Sequence, residues 1–151
     1  LAVPTITIEP GRALIGPAGV AVYRLGARKE LPGIRTYVSV DGGMADNIRP
    51  SLYDAIYTAK LANRDDGSGP ETVTIAGKFC EGGDVLLPSV ELPTIEAGDL
   101  LAVPAAGAYT LAMSSNYNAA LRPPVILVEH GTARVIRRRD TYDDLIRTDL
   151  A

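Results

Sequence analysis

The sequence has almost none of the side chains that form disulfides or bind transition metals: Cys80 is the only cysteine and His130 the only histidine. One cysteine cannot form a disulfide within the chain, and Cys80 with His130 cannot supply the four ligands of a zinc site. We therefore expect no metal. Because disulfides are typical of oxidising compartments, the cytoplasm is the expected location.

Long apolar runs and an excess of basic residues are also missing. No run approaches the roughly 20 apolar residues that span a bilayer, so no membrane is expected. The net charge of −3 gives no electrostatic reason to expect nucleic acid as a partner. The sequence contains no internal repeat, P-loop, GxGxxG motif or Ser-His-Asp order. With 46% hydrophobic and 22% charged residues, it has the composition of one folded domain.

Turn residues divide the chain into short segments, since it has 15 glycines and 11 prolines. Apolar and alternating segments predict strands at residues 5–9, 20–25, 37–40, 72–76, 100–103, 125–128 and 133–136. Short helices are predicted after Asn47, at 109–117 and from Asp140 through Leu150, with a turn at 28–33. These elements predict a mainly β fold, a barrel or a sandwich with a few short helices.

The segment around Cys80 is the first candidate site. Glu81 follows the cysteine directly, and the pair Gly82-Gly83 lets the backbone turn where larger side chains would clash. A loop could therefore present Cys80 and Glu81 together. From these residues alone, a buried cysteine in an ordinary hairpin is the more common outcome.

Two further groups of polar residues have a favourable spacing. Glu9 and Arg12 flank a Pro-Gly turn at the end of the predicted strand 5–9, where α/β folds place ligand contacts, although the two could also form a surface ion pair. In a helix near Pro50, Arg49 and Tyr53 are four residues apart and share a face.

Six stretches of the chain, in this order, resemble one family. They are EPGR (residues 9–12), VDGGMADNIRPSLYDA (40–55), CEGGD (80–84), GDLLAV (98–103), GAYTLAMSSNYN (107–118) and RRRDTYDDL (137–145). Together they are similar to the C-terminal part of the diaminopimelate decarboxylases, pyridoxal-phosphate enzymes of the alanine-racemase-like fold type. IRPSLY and CEGGD favour this family over its ornithine-type relatives. Gly82 departs from the serine that the family usually has there.

The resemblance implies two domains. Residues 1–13 would be the last strand and the EPGR turn of a (β/α)8 barrel that binds pyridoxal 5'-phosphate, and 14–151 would be the C-terminal β-domain. The Schiff-base lysine would lie elsewhere, because Lys29, Lys60 and Lys78 match none of the family's lysine motifs. The chain would therefore need the N-terminal barrel portion of the enzyme as a partner, and would be inactive alone.

The resemblance also implies roles for individual residues. Glu9 would face the pyridine nitrogen of the cofactor and Cys80 would be the catalytic proton donor. The other cofactor-binding residues implied are Pro10, Gly11, Arg12 and Tyr109, and the substrate-binding residues implied are Arg12, Arg49, Tyr53, Glu81 and Tyr109. In a homodimer, Cys80 and Glu81 would reach into the active site of the partner subunit.

The activity implied is decarboxylation of meso-2,6-diaminopimelate to L-lysine and CO2, the last step of lysine biosynthesis. Two alternatives stay open. One is a related pyridoxal-phosphate decarboxylase of another diamino or carrier-bound amino acid. The other is an inactive β-domain used only for assembly.

Overall fold

The computed structural model describes residues 3–64 and 69–150. The strands are β1 (Ala21–Leu31), β2 (Arg35–Val40), β3 (Lys60–Leu61), β4 (Pro70–Ala76), β5 (Val85–Pro93), β6 (Leu100–Val103), β7 (Val125–Glu129) and β8 (Thr132–Arg137). The helices are α1 (Arg12–Ile15), α2 (Arg49–Tyr53) and α3 (Tyr142–Ile146), with 3-10 turns at Gly16–Ala18, Leu111–Met113 and Tyr117–Ala119. Within these described ranges, every helix is too short to cross a bilayer.

Six strands form one sheet in the order β3-β6-β1-β2-β4-β5, and β7 and β8 form a separate hairpin. All neighbours in the sheet are antiparallel except β2 and β4, which are parallel. The outermost strands β3 and β5 contact each other, so the sheet curves into a nearly closed barrel. The predicted mainly β fold with a few short helices is confirmed.

The core lies inside this curved sheet and follows from alternation along its strands. On β1, Tyr23 and Leu25 are buried, whereas their neighbours Val22 and Arg24 are exposed. Leu101 on β6 is fully buried, as expected of a central strand. Each fully buried aliphatic side chain of this kind contributes about 1.5–3 kcal/mol to stability.

Several helices and strands have other boundaries in the structure than those predicted from the sequence. β1 continues through the predicted turn at 28–33 to Leu31, and Arg28 on it forms an ion pair with Glu71 of β4 (2.7 Å). The predicted helix at 109–117 is wrong: only 3-10 turns form there, because Ser114 in the middle of the segment is extended (φ −64°, ψ 148°) and Tyr109 at its start has a positive φ of 58°.

The last helix is shorter than predicted and has another cap. It begins at Tyr142 and ends at Ile146, and Thr141 caps it by a reciprocal pair of hydrogen bonds with Asp144. Asp140 is instead buried, where it accepts hydrogen bonds from Arg122 (2.7 Å) and Arg137 (3.2 Å). The Arg122 bond lowers the Asp140 pKa to about 2.

Residues 5–9, predicted as the last strand of a barrel, form no strand in the part of the chain that the structure describes. Ile6 and Ile8 are 82% and 78% exposed, because none of the described strands pairs with this segment. The implied domains, 1–13 and 14–151, include residues 1, 2, 65–68 and 151, which lie outside the described residues. The division into two domains stays a prediction.

A buried carboxylate holds together the two loops that carry candidate site residues. Asp84, 3% exposed, accepts a hydrogen bond at Oδ1 from the Met44 N–H (2.6 Å) and one at Oδ2 from the Phe79 N–H (2.8 Å). Met44 belongs to the loop after β2, and Phe79 to the loop between β4 and β5. We call the second loop, residues 77–84, the Cys80 loop.

Glycines make this arrangement possible. A Cβ on Gly43 would lie 2.6 Å from Asp84 Oδ1, and a Cβ on Gly77 would lie 2.1 Å from Asp84 Oδ2. The backbone then closes around the carboxylate, since the Lys78 N–H donates to the Gly42 carbonyl (3.0 Å). The two loops therefore form one rigid unit around Asp84.

Replacing Asp84 by asparagine tests this clamp. An amide has one acceptor oxygen, so one of the two loop N–H groups would lose its partner and face an NH2 group instead. We expect the free energy of unfolding to fall by about 1–3 kcal/mol, the cost of an unsatisfied buried donor. Urea unfolding measures it. The same substitution at exposed Asp54 is the control, and an equal effect of both would contradict the clamp.

The lowered pKa of Asp140 predicts a pH dependence of stability. The folded-state pKa of about 2 lies below the usual aspartate value, so the contribution of the Arg122–Asp140 pair is present above about pH 4 and is lost as pH falls towards 2. The difference in unfolding free energy between the unmodified protein and Asp140→Asn should therefore shrink over that range. Asp149→Asn, at an exposed position, is the matched control. A difference that stays constant from pH 7 to pH 2 would exclude this pair as the cause.

Candidate functional site

Arg49 lies between two tyrosine rings at the start of α2. Its Cζ is 5.5 Å from the ring centroid of Tyr53 and 5.7 Å from that of Tyr109. The predicted shared face of Arg49 and Tyr53 is thus confirmed. The Nε atom of Arg49 is buried and has no hydrogen-bond partner among the residues that the structure describes. A buried donor without a partner is costly, so this nitrogen is suited to a ligand oxygen.

Tyr109 reaches this position through a strained backbone. Its φ of 58° is in the left-handed region, which costs a non-glycine residue about 1–3 kcal/mol and is frequent at ligand sites. The preceding loop is fixed against the chain after α1: the Ala106 N–H donates to the Gly19 carbonyl (2.9 Å) and the Gly107 N–H to the Gly16 carbonyl (3.0 Å). The small residues at 104–108 thus approach the chain's own backbone.

Gly11 places the EPGR turn beside Tyr109, because a Cβ built on Gly11 would lie 3.2 Å from the tyrosine hydroxyl. Gly11, Arg49, Tyr53 and Tyr109 are therefore neighbours, and we call them the Arg49 cluster. Glu9, Pro10 and Arg12 are exposed on the same turn. Glu9 and Arg12 form no ion pair with each other in the described part of the chain, so the surface-pair interpretation of these residues is wrong.

The Cys80 loop presents its two polar side chains outward. Cys80 and Glu81 are both exposed, so the interpretation of the cysteine as a buried filler is wrong. Glu81 accepts a hydrogen bond at Oε1 from the hydroxyl of Tyr117, and this bond raises the Tyr117 pKa. The Tyr117 ring in turn meets the ring of Phe79 edge to face, with centroids 5.6 Å apart at 75°.

An open groove of about 520 Å³ lies beside Cys80. It is lined by Lys78, Phe79, Cys80, Asn118, Ala119, Ala120, Leu121, Arg139 and Tyr142. Its two cations, on Lys78 and Arg139, suit it to anionic groups. Within the described ranges, no group of three or more His, Cys, Asp or Glu side chains could hold a metal ion.

Helix α2 separates the Cys80 loop from the Arg49 cluster. Ser51 donates a hydrogen bond to the Gly83 carbonyl, which fixes the loop to the helix. Ser51 is two residues after Arg49, roughly 200° further around the helix axis, and so on its opposite side. In the described part of the chain, no hydrogen bond, ion pair or ring contact joins the two sets. The structure brings together Gly11, Arg49, Tyr53 and Tyr109. It does not bring Cys80 or Glu81 into contact with this cluster.

Sequence reasoning missed the residues that hold the site in place. Tyr117 lies in the segment predicted as a short helix, and the sequence predicts no contact for Ser51 or Asp84. The only signal was their presence in the stretches SLYDA, CEGGD and SSNYN, which lie far apart in sequence. Tyr117 and Glu81 are separated by 36 residues, beyond any local pattern.

Comparisons with known proteins identify the fold and the family. Residues 15–107 match the family described as "Pyridoxal-dependent decarboxylase, C-terminal sheet domain". The chain is 52% identical over 148 residues to a diaminopimelate decarboxylase of Bacillus subtilis, and 53% identical over 146 residues to one of Synechocystis. These alignments cover 98% and 97% of this chain but 34% and 31% of the relatives. The chain therefore spans about a third of their length.

A solved structure agrees with the sequence comparisons. The diaminopimelate decarboxylase of M. jannaschii, in complex with L-lysine, superposes with a TM-score of 0.88 at 38% identity. The match covers 95% of this chain and 32% of that protein. The family resemblance carried by the six sequence stretches is confirmed. The chain belongs to the pyridoxal-dependent decarboxylase family and contains its C-terminal sheet domain.

Proposed function

We propose that this chain is the C-terminal portion of a decarboxylase that converts meso-2,6-diaminopimelate to L-lysine and CO2 with pyridoxal 5'-phosphate. The observation that carries the proposal is the Arg49 cluster: a guanidinium held between two tyrosine rings, with a buried Nε that has no partner in the described part of the chain. Relatives named diaminopimelate decarboxylase and a neighbour solved with L-lysine support the choice of substrate.

Arg49 is proposed to bind a carboxylate of the substrate. A planar guanidinium donates two parallel hydrogen bonds to a carboxylate, and this pairing would satisfy the Nε–H. The flanking rings of Tyr53 and Tyr109 restrict the plane of the guanidinium, so less conformational entropy is lost on binding. The hydroxyls of Tyr53 and Tyr109 and the guanidinium of Arg12 are proposed as further substrate contacts.

The residues of the EPGR turn fit the cofactor of the family. At Gly11 the missing Cβ leaves space beside the Tyr109 hydroxyl, so backbone and hydroxyl can both approach a phosphate group. Glu9, Pro10, Gly11, Arg12 and Tyr109 would hold the cofactor from this side, with the Glu9 carboxylate facing its ring nitrogen. When bound, pyridoxal phosphate withdraws electrons from the substrate carbon that loses its carboxylate.

Cys80 and Glu81 are proposed to act on the substrate from a second subunit. The exposed thiol of Cys80 can donate a proton to the carbon that has lost CO2, and the Glu81 carboxylate complements the ammonium at the far end of the substrate. Because α2 separates these residues from the Arg49 cluster, one chain alone does not bring the two sets together. In a twofold-symmetric homodimer, each pocket would receive one set from each subunit.

The departure at Gly82 leaves the loop intact in this proposal. A Cβ built on Gly82 meets no described atom within 4 Å, so neither a serine nor a glycine at this position changes the packing. The family's serine hydroxyl is missing, but the loop is fixed by Asp84 and Ser51, which are both present.

The activity is tested with the chain joined to the N-terminal barrel portion that the proposal requires, which also supplies the lysine. With pyridoxal phosphate, we expect CO2 release from meso-diaminopimelate and formation of L-lysine. L-ornithine and L-lysine, which lack the distal carboxylate, serve as comparison substrates. Turnover of one of these without turnover of diaminopimelate would sink the substrate assignment. Absence of turnover of any amino acid would favour a domain used only for assembly.

Replacing Cys80 by alanine removes the proposed proton donor. We expect kcat to fall by about 10²–10⁴-fold, the usual contribution of a positioned acid or base, while cofactor absorbance is retained. Cys80→Ser, of similar size but far less acidic, should also be slow. Thr58→Ala, at an exposed position outside both sets, is the control. Unchanged turnover in Cys80→Ala would remove the cysteine from the mechanism.

A further inference from the structure

Tyr117 makes the only hydrogen bond to the Glu81 side chain in the described part of the chain. The phenol donates to Oε1, which leaves Oε2 without a partner among the residues that the structure describes. A carboxylate fixed at one oxygen keeps the second oxygen in one place for an incoming donor. An exposed glutamate without such a bond would sample several rotamers and lose more conformational entropy on binding.

Tyr117 is itself held by a contact to its ring and by hydrogen bonds of its backbone segment. Phe79, the residue before Cys80, meets it edge to face. The segment before Tyr117 is tied to the loop after β2, because the Ser115 N–H donates to the Ala45 carbonyl (2.9 Å) and the Tyr117 N–H donates to Ser115 Oγ (3.3 Å). Since that loop is also one of the two joined by Asp84, Tyr117 and Glu81 are positioned by the same unit.

The choice of a phenol as donor matters for the charge of Glu81. An arginine or lysine in its place would neutralise the carboxylate and compete with a cationic ligand. A neutral hydroxyl orients Glu81 and leaves its full negative charge available. A tyrosine hydroxyl is protonated at neutral pH, and the hydrogen bond to Glu81 raises the pKa of Tyr117 further.

We propose that Tyr117 is a positioning residue that holds Glu81 ready for the ammonium at the far end of a diamino acid, and so determines the selectivity for substrates with a second amino group. This inference rests on the proposed function, in which Glu81 binds that ammonium. Tyr117 would thus contribute to specificity without contacting the substrate or the cofactor.

The test is Tyr117→Phe in the protein joined to its barrel portion, a change that removes the hydroxyl and keeps the ring against Phe79. Two ligands are compared: meso-diaminopimelate by its KM, and 2-aminopimelate, which lacks only the distal ammonium, by its inhibition constant. We expect the KM for meso-diaminopimelate to rise by up to about tenfold, because Glu81 must then be ordered when the ammonium binds, and the inhibition constant of 2-aminopimelate to change by less than about twofold.

If Tyr117 had a merely structural role, Tyr117→Phe would weaken the binding of both ligands equally, and this result would overturn the proposal. A double-mutant cycle gives a second criterion: in Glu81→Gln, adding Tyr117→Phe should raise the KM no further, whereas additive effects would contradict the coupling. Tyr37→Phe, the same chemical change on β2, is the matched control and should leave both constants unchanged.

The two proposals can fail separately. If the unmodified protein releases no CO2 from diaminopimelate, the proposed function fails on that result alone. If the unmodified protein is active and Tyr117→Phe leaves the ratio of the two constants unchanged, the role of Tyr117 fails while the proposed function stands.

Discussion

The hydrogen bonds of the buried Asp84 carboxylate are the constraint on which the geometry of the site depends. They join the loop after β2 to the Cys80 loop, and glycines at 43 and 77 leave the space for them. The loop after β2 leads into α2, whose first residue is Arg49, so the same clamp positions both candidate sets. The hydrogen bonds of Asp84 thereby fix the direction in which the candidate side chains of both loops point.

The sheet provides the rigid frame for this clamp. Its strands alternate buried and exposed residues, and the contact between β3 and β5 nearly closes it, so the loops leave a curved surface with little freedom. Within α2, Arg49 and Ser51 then face opposite ways, one towards Tyr109 and the other towards the Cys80 loop. This division within one short helix is the physical basis for proposing that each subunit contributes to two pockets.

Local patterns in the sequence predict β1, β2, β4, β6, β7 and β8, but not β3 or β5, and they predict the shared face of Arg49 and Tyr53. An exposed Cys80 loop is expected only from the family resemblance. Local patterns failed where tertiary contacts decide. The predicted helix at 109–117 does not form because Ser114 in its middle is extended and Tyr109 at its start has a positive φ beside Gly11. Residues 5–9 have the alternation of a strand, but pairing depends on neighbours outside the segment.

The contacts of Asp84 and Tyr117 could not be predicted for a related reason. Both act over long sequence separations, 40 residues from Asp84 to Met44 and 36 from Tyr117 to Glu81, and no periodicity connects such pairs. The sequence contains the residue types that the site needs. Which of them meet is determined by the packing of loops on the sheet.

The central claim, that one chain contributes to two pockets, is tested most directly by subunit complementation. Arg49→Ala and Cys80→Ala proteins, each joined to the barrel portion and each inactive alone, are mixed under conditions that exchange subunits. If the two residues serve different pockets, about half of the dimers are mixed and each has one intact pocket, so activity should return to about a quarter of that of the unmodified protein. If Arg49 and Cys80 of the same subunit serve one pocket, every pocket in the mixture carries a defect and activity does not return. A mixture that stays inactive would therefore contradict the account.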